Sequence, residues 1–141
     1  MLKTRCILSE RQPDENLCIS VMSRHTLSDG ITPDPRITTD KFDQHLTDLA
    51  PPPSLVSRWD RGYLGKQDVN NFENRFAPEY IKYLESQKEL LKLLGRMALA
   101  NNVSFLCIEP EPKDNKPLLC HRRLLAEQCK ILIPELIVEI H

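Results

Sequence analysis

Two short stretches of this chain are apolar at nearly every position: Leu17-Cys18-Ile19-Ser20-Val21-Met22 and Val103-Ser104-Phe105-Leu106-Cys107-Ile108. A strand with one solvated face alternates apolar and polar residues. A strand without that alternation is covered on both faces, as in a parallel sheet held between two layers. The second stretch leads through a proline-containing loop, Glu109 to Pro117, into helical spacing at Leu118, His121, Leu125, Cys129 and Leu132. Pro134 ends that helix, and Leu136 to Ile140 reads as a closing strand. Strand, helix, strand is a βαβ unit whose crossover should be right-handed. With Leu2 to Leu8 as a short first strand, the expectation is an α/β fold: a three-layer sandwich with a mainly parallel sheet and a C-terminal βαβ unit. A chain of 141 residues suits a single domain, here 1–141.

The middle of the chain reads as helical. Thr39 or Asp40 can cap a short helix bearing Phe42, Leu46 and Leu49, which the run Ala50-Pro51-Pro52-Pro53-Ser54 breaks. A helical turn with Leu55, Val56 and Trp59 and a loop at Arg61 to Gly65 come next. From Asp68, the stripe Val69, Phe72, Phe76, Tyr80 and Tyr83 predicts a helix, with Asn70 and Glu73 as capping-box partners and a kink or break at Pro78. Ser86-Gln87-Lys88-Glu89 matches a second capping box, starting a helix that ends near Asn101-Asn102. The helical spacing of the aromatic residues makes them core rather than a platform for stacking bases.

Several function classes are excluded or disfavoured. No apolar run approaches the ~20 residues of a membrane-spanning helix. The first ten residues lack the apolar stretch and cleavage site of a secretory signal, so a cytoplasmic location is expected. Five cysteines, an odd number without regular spacing, point to thiols rather than a disulfide framework. The four glycines form neither a dinucleotide fingerprint nor a phosphate-cradling P-loop, and H-E-x-x-H, C-x-x-C and G-x-S-x-G are absent. A net charge of -1 disfavours nucleic acid as a partner, although a local basic stripe would survive that total.

In parallel sheets, ligands bind beyond the carboxyl ends of the strands. That rule brings Ser23-Arg24-His25, Cys107-Ile108-Glu109 and Cys120-His121-Arg122 to one edge. Cys120, near a helix N-terminus and beside His121 and Arg122, is either a nucleophile whose thiolate those positive groups stabilise or a small buried thiol. His121 is a general acid/base or a satisfied, partly buried histidine. Arg122 is a bidentate anion clamp, or else an exposed helix charge or a structural ion pair with Glu109. Glu109 would orient His121 or accept a proton. Ser23, Arg24, His25 and Cys107 complete the expected binding set, and Arg36, Arg58 and Arg61 lie on segments able to reach it. Cys107 and Cys120 with His25 or His121 are zinc-type ligands, but their spacing matches no standard site, so no metal is assigned; a Cys107–Cys120 disulfide is the other alternative.

The C-terminal third resembles the domain of unknown function 488 family. The resemblance rests on Phe105-Leu106-Cys107-Ile108-Glu109, on Cys120-His121-Arg122-Arg123-Leu124-Leu125-Ala126-Glu127, and on Ile137-Val138-Glu139-Ile140-His141. Ser23-Arg24-His25 and the Trp59 to Tyr80 region are similar to its less specific middle part. The resemblance implies an α/β fold and a shared polar site but no particular reaction. The long proline-containing segment between Glu109 and Cys120 departs from the family pattern.

The leading expectation is a protein that binds or acts on an anionic small molecule or nucleotide-like group. Cys120, His121 and Glu109 would be catalytic, and Ser23, Arg24, His25, Cys107 and Arg122 would bind ligand. The alternatives are a non-catalytic interaction module that presents the proline-rich loops, or a nucleic-acid binding or modifying domain. Cofactor and oligomeric state stay unassigned.

Overall fold

The structure, a computed structural model, describes residues 1–60 and 68–141. The expected loop at Arg61 to Gly65 and the Trp59 side chain lie outside what is described. Five strands, β1 (Leu2–Cys6), β2 (Leu17–Ser20), β3 (Gln44–His45), β4 (Val103–Cys107) and β5 (Val138–Ile140), form one sheet in the order β3-β2-β4-β1-β5. Every pairing is parallel. The described helices are α1 (Pro53–Asp60), α2 (Val69–Asn71), α3 (Ala77–Leu84), α4 (Lys88–Ala100) and α5 (His121–Leu132). None is long and apolar enough to cross a membrane.

Register explains the two apolar runs. Leu17, Val103, Leu2 and Val138 lie side by side across the sheet. On their face, Leu2, Ile19, Val103 and Phe105 join one core with Leu91 and Leu94 of α4 and Leu124 and Leu125 of α5. On the other face, Cys18 and Leu106 pack with Ile7 and Leu118, with Ile37 and Phe42 against them. Arg5 also lies buried on this side, its Nε 2.8 Å from Glu15 Oε1. The β3–β4 and β4–β5 connections step toward the β5 edge and carry the helices. The β1–β2 and β2–β3 connections step the other way, so a right-handed chain runs over the opposite face. Both are loops without a helix. The α/β class, the parallel sheet and the βαβ unit are as expected, and the layer on the second face is built from these loops.

Three local expectations are corrected. Residues 40–49 form no α-helix: Gln44 and His45 pair with Ile19 and Ser20 as β3, and only a 3-10 turn, Thr47–Leu49, follows. The Asp43 carboxylate accepts the Cys18 N–H at 2.8 Å, which holds this segment against β2. At the start of the aromatic helix the cap is Asp68, which accepts from Asn70 N, and not Asn70 with Glu73. Ser86 donates backward to Tyr83 O and caps nothing; the chain passes through a 3-10 turn, Glu85–Gln87, into α4.

Pro78 neither breaks nor ends its helix. The preceding residues, Phe72–Phe76, form a π-helical turn in which Ala77 N–H reaches Phe72 O. A wider turn relieves the clash between a proline ring and the carbonyl four residues earlier. It also keeps Phe72, Phe76 and Tyr80 on the buried face, at 1 %, 3 % and 0 % exposure. Helix α5 begins at His121, three residues later than Leu118, because Cys120 is extended (φ -146°, ψ 144°) and takes the N-cap position.

Candidate functional site

Ser20 pairs with Leu106, so β2 and β4 end next to each other and send their chains out at one sheet edge. The chain leaving β2 carries Ser23 and Arg24. Strand β4 ends on Cys107 and continues to Glu109. Helix α5 enters at the same place with Cys120 and His121. These six residues line a single cleft of ≈ 640 Å³, a volume in the range of small-molecule sites. Apolar lining comes from Pro51, from Val56 of α1 and from Phe72 and Phe76 of the π-helical turn.

The His121 ring is fixed on two sides. Its Nε2 lies 2.7 Å from Val21 O; a carbonyl only accepts, so Nε2 donates, and in the neutral ring Nδ1 carries the lone pair. The Tyr80 ring stands edge-on to it, centroids 5.7 Å apart, and the Tyr80 hydroxyl donates to Leu49 O. Nδ1 therefore faces two sulfurs, 4.0 Å from Cys107 Sγ and 3.9 Å from Cys120 Sγ. Both cysteines are buried, at 5 % and 3 % exposure, although they border the cleft. Burial and the neighbouring Cys107 push the Cys120 thiol well up. A hydrogen bond from Cys120 and the charge of Arg122 bring Cys107 down, so Cys107 is the readier thiolate of the two.

Two of the eight expected site residues stand behind the cleft. His25 Nε2 is 2.7 Å from Ser20 Oγ, and its ring stacks on His45 at 3.8 Å. Burial and His45 push His25 down to about 4. Arg122, at 0 % exposure, turns inward from the first turn of α5. Its Nη1 donates to Glu109 O at 2.6 Å and its Nη2 to His141 O at 2.9 Å. It grips the main chain after β4 and after β5, where the sequence had it reaching outward to an anion or to the Glu109 carboxylate.

Arg24 is exposed on the cleft wall, its guanidinium over Gly30. Of the outer arginines, Arg36 reaches the cleft and is held by Asp34 through its Nε and Nη2, at 3.0 and 2.8 Å. Its side-chain hydrogen bonds draw Asp34 down to about 2. Arg58 is turned to Glu79, and Arg61 lies outside the described residues.

A family model described as the active DUF488-N3 subclade, DUF488-N3a, matches residues 2–130. This chain belongs to the DUF488 family. No curated protein and no solved structure matches it. All eight expected site residues of this DUF488 chain lie within the matched span, whereas Ile137 to His141 lie beyond it. The proline-containing segment between Glu109 and Cys120 turns through Asp114 and Asn115, both at φ 57°, a conformation these two residue types tolerate better than most.

Sequence reasoning passed over Asp34 as part of the cleft. It also took Phe72 and Phe76 as core alone, whereas in this DUF488 chain they are both core and cleft lining. The signal for Asp34 is slight: an acidic residue two positions before Arg36, in a loop without periodicity. For Val21 O, which orients His121, a sequence carries no signal, because every residue has a carbonyl.

Proposed function

We propose that this DUF488 protein binds an anionic small molecule or nucleotide-like group in the cleft and acts on it at the Cys107–Cys120–His121 end. The observation that carries the reading is the convergence of an exposed arginine, a carboxylate, an imidazole lone pair and two thiols on one ≈ 640 Å³ cleft. Arg24 and the first turn of α5, which no side chain caps, take the negative charge. Pro51, Val56, Phe72 and Phe76 offer an apolar surface for the uncharged part of the ligand. Glu109 and His121 handle protons at the thiol end. Five buried thiols suit a reducing compartment, consistent with a cytoplasmic location.

The test is titration calorimetry with inorganic phosphate and with a nucleoside monophosphate as probes. Wild-type protein should bind one of them saturably. Arg24→Ala, at an exposed position, should keep the fold and weaken binding by roughly tenfold or more, the equivalent of one lost charge-assisted hydrogen bond. Equal affinity in wild type and Arg24→Ala, or no binding of either probe, overturns the reading.

A further inference from the structure

We infer that Cys107, Cys120 and His121 form a zinc site whose fourth position opens into the cleft. The inference deepens the proposed function and rests on it for what would occupy that fourth position; with zinc bound, His121 is a ligand through Nδ1 and proton handling falls to Glu109 alone. The donor atoms Cys107 Sγ, Cys120 Sγ and His121 Nδ1 all lie within 4.8 Å of one another. A tetrahedral zinc, with bonds of ~2.3 Å to sulfur and ~2.0–2.1 Å to nitrogen, sets its ligands about 3.6–3.8 Å apart. The two observed sulfur–nitrogen distances, 4.0 and 3.9 Å, need only a few tenths of an ångström of closure.

The surroundings of the three donors agree. Metal-binding histidines usually donate their other ring N–H to a carboxylate or a backbone carbonyl, which fixes the tautomer and aims the lone pair. His121 does this through Nε2 to Val21 O at 2.7 Å, with the Tyr80 ring edge-on beside it. Without metal, a single imidazole lone pair faces two S–H groups. With it, one Zn²⁺ replaces both thiol protons, two protons pass to solvent, and the Zn(S⁻)₂(His) centre is electrically neutral. Neutrality suits a site packed against Ile7, Met22, Leu106 and Leu118. Two thiolates and an imidazole select zinc over magnesium or calcium.

All three ligands line the cleft, so the remaining coordination position faces the space assigned to the anion. Three protein ligands and one open position is the arrangement of catalytic zinc sites, where water or substrate takes the fourth place. The spacing Cys107…Cys120-His121 matches no sequence pattern for zinc because the ligands come from a strand end and a helix start that the parallel sheet brings together. His25 belongs to a different cluster with Ser20 and His45.

The experiment is to remove metal from the full-length, reduced protein with chelator and then titrate Co²⁺ and Zn²⁺. Wild type should take up one equivalent. Cobalt uptake should release two protons and develop thiolate-to-cobalt charge transfer and tetrahedral ligand-field bands, and zinc should then displace the cobalt without further proton release. Cys107→Ser and His121→Gln should each weaken zinc by more than the ~10–100-fold that an outer-shell change costs, and Cys129→Ser, a buried cysteine outside the cluster, should leave it intact. Sub-stoichiometric cobalt without charge transfer in wild type overturns the inference, whether or not any variant folds. Full zinc uptake by Cys107→Ser also overturns it. Stoichiometric zinc in a protein that binds neither phosphate nor the nucleotide leaves the metal site standing and refutes the anion reading alone; saturable anion binding by protein that takes up no zinc does the reverse.

Discussion

Replacing Arg122 with alanine separates two roles for the same residue. An anion clamp at a cleft would be lost with little effect on stability. Arg122 in the structure is fully buried and spends its two terminal nitrogens on Glu109 O and His141 O, at 2.6 and 2.9 Å. Hydrogen bonds from a charged group contribute ~1.5–3 kcal/mol each. Some of this returns in Arg122→Ala, because Glu109 is only partly buried and His141 is exposed, so water can reach the released carbonyls. The lost side-chain packing adds to the cost. We expect a net destabilisation of about 3–5 kcal/mol, large against the ~5–15 kcal/mol total of a domain. Arg122→Met should recover part of it, since it refills the volume without burying a charge. Urea unfolding followed by circular dichroism, with linear extrapolation, measures the difference. A loss below ~1 kcal/mol together with loss of phosphate binding would refute the structural role and return Arg122 to the cleft.

Two further outcomes follow from the geometry. His25 sits near 4 in the fold against an ordinary 6.5, so between those pH values the unfolded chain binds a proton that the fold excludes, and stability falls as pH drops from about 6.5 to about 4. At 1.36 kcal/mol per pH unit the ceiling is about 3 kcal/mol, reduced to about 1–2 kcal/mol for a ring only partly buried; His25→Gln should flatten that slope in urea titrations at pH 7 and pH 4.5, and an unchanged slope, or an NMR titration of His25 near 6.5, would count against the burial argument. Gly30 has φ +72°, and a Cβ there would lie 2.7 Å from Arg24 Nη1, so Gly30→Ala should cost roughly 1–2 kcal/mol in backbone strain and weaken phosphate binding by displacing Arg24; thermal unfolding and calorimetry would show whether the two losses occur together.

The elements legible in the sequence are those whose burial is two-sided. Leu17 to Met22 and Val103 to Ile108 announce a parallel sheet because both faces are covered, and α5 because Leu125, Cys129 and Leu132 keep helical spacing. Strand β3 escapes for the opposite reason: Gln44 and His45 are polar, and only their backbone pairing with Ile19 and Ser20 makes them a strand. Apolar strands demand cover on both faces but do not say what supplies it, and on the second face it comes from a loop that buries an Arg5–Glu15 ion pair. At the cleft, the rule of strand carboxyl ends brings together Ser23, Arg24, Cys107, Glu109, Cys120 and His121. It says nothing of side-chain direction within the next turn. Arg122 follows His121 by one residue and points to the opposite side, toward carbonyls 13 and 19 positions away, a relation that no local pattern encodes.

The placement of β1 bears on the order in which the molecule can be built. The first strand made sits between the last two, paired with Val103–Cys107 on one edge and Val138–Ile140 on the other. At ~5–20 residues per second, a ribosome needs roughly 5–20 s to deliver the first of those partners after β1 emerges. Throughout that interval β1 has two bare edges and no neighbour in the sheet, and β2 lacks the strand that will join them. Local helices can form meanwhile, but the sheet closes only when distant segments meet, a slow search for a chain of this size. The nascent chain is thus most vulnerable to misassociation between the synthesis of β1 and that of β4, and the cleft is completed only after its final walls have been translated.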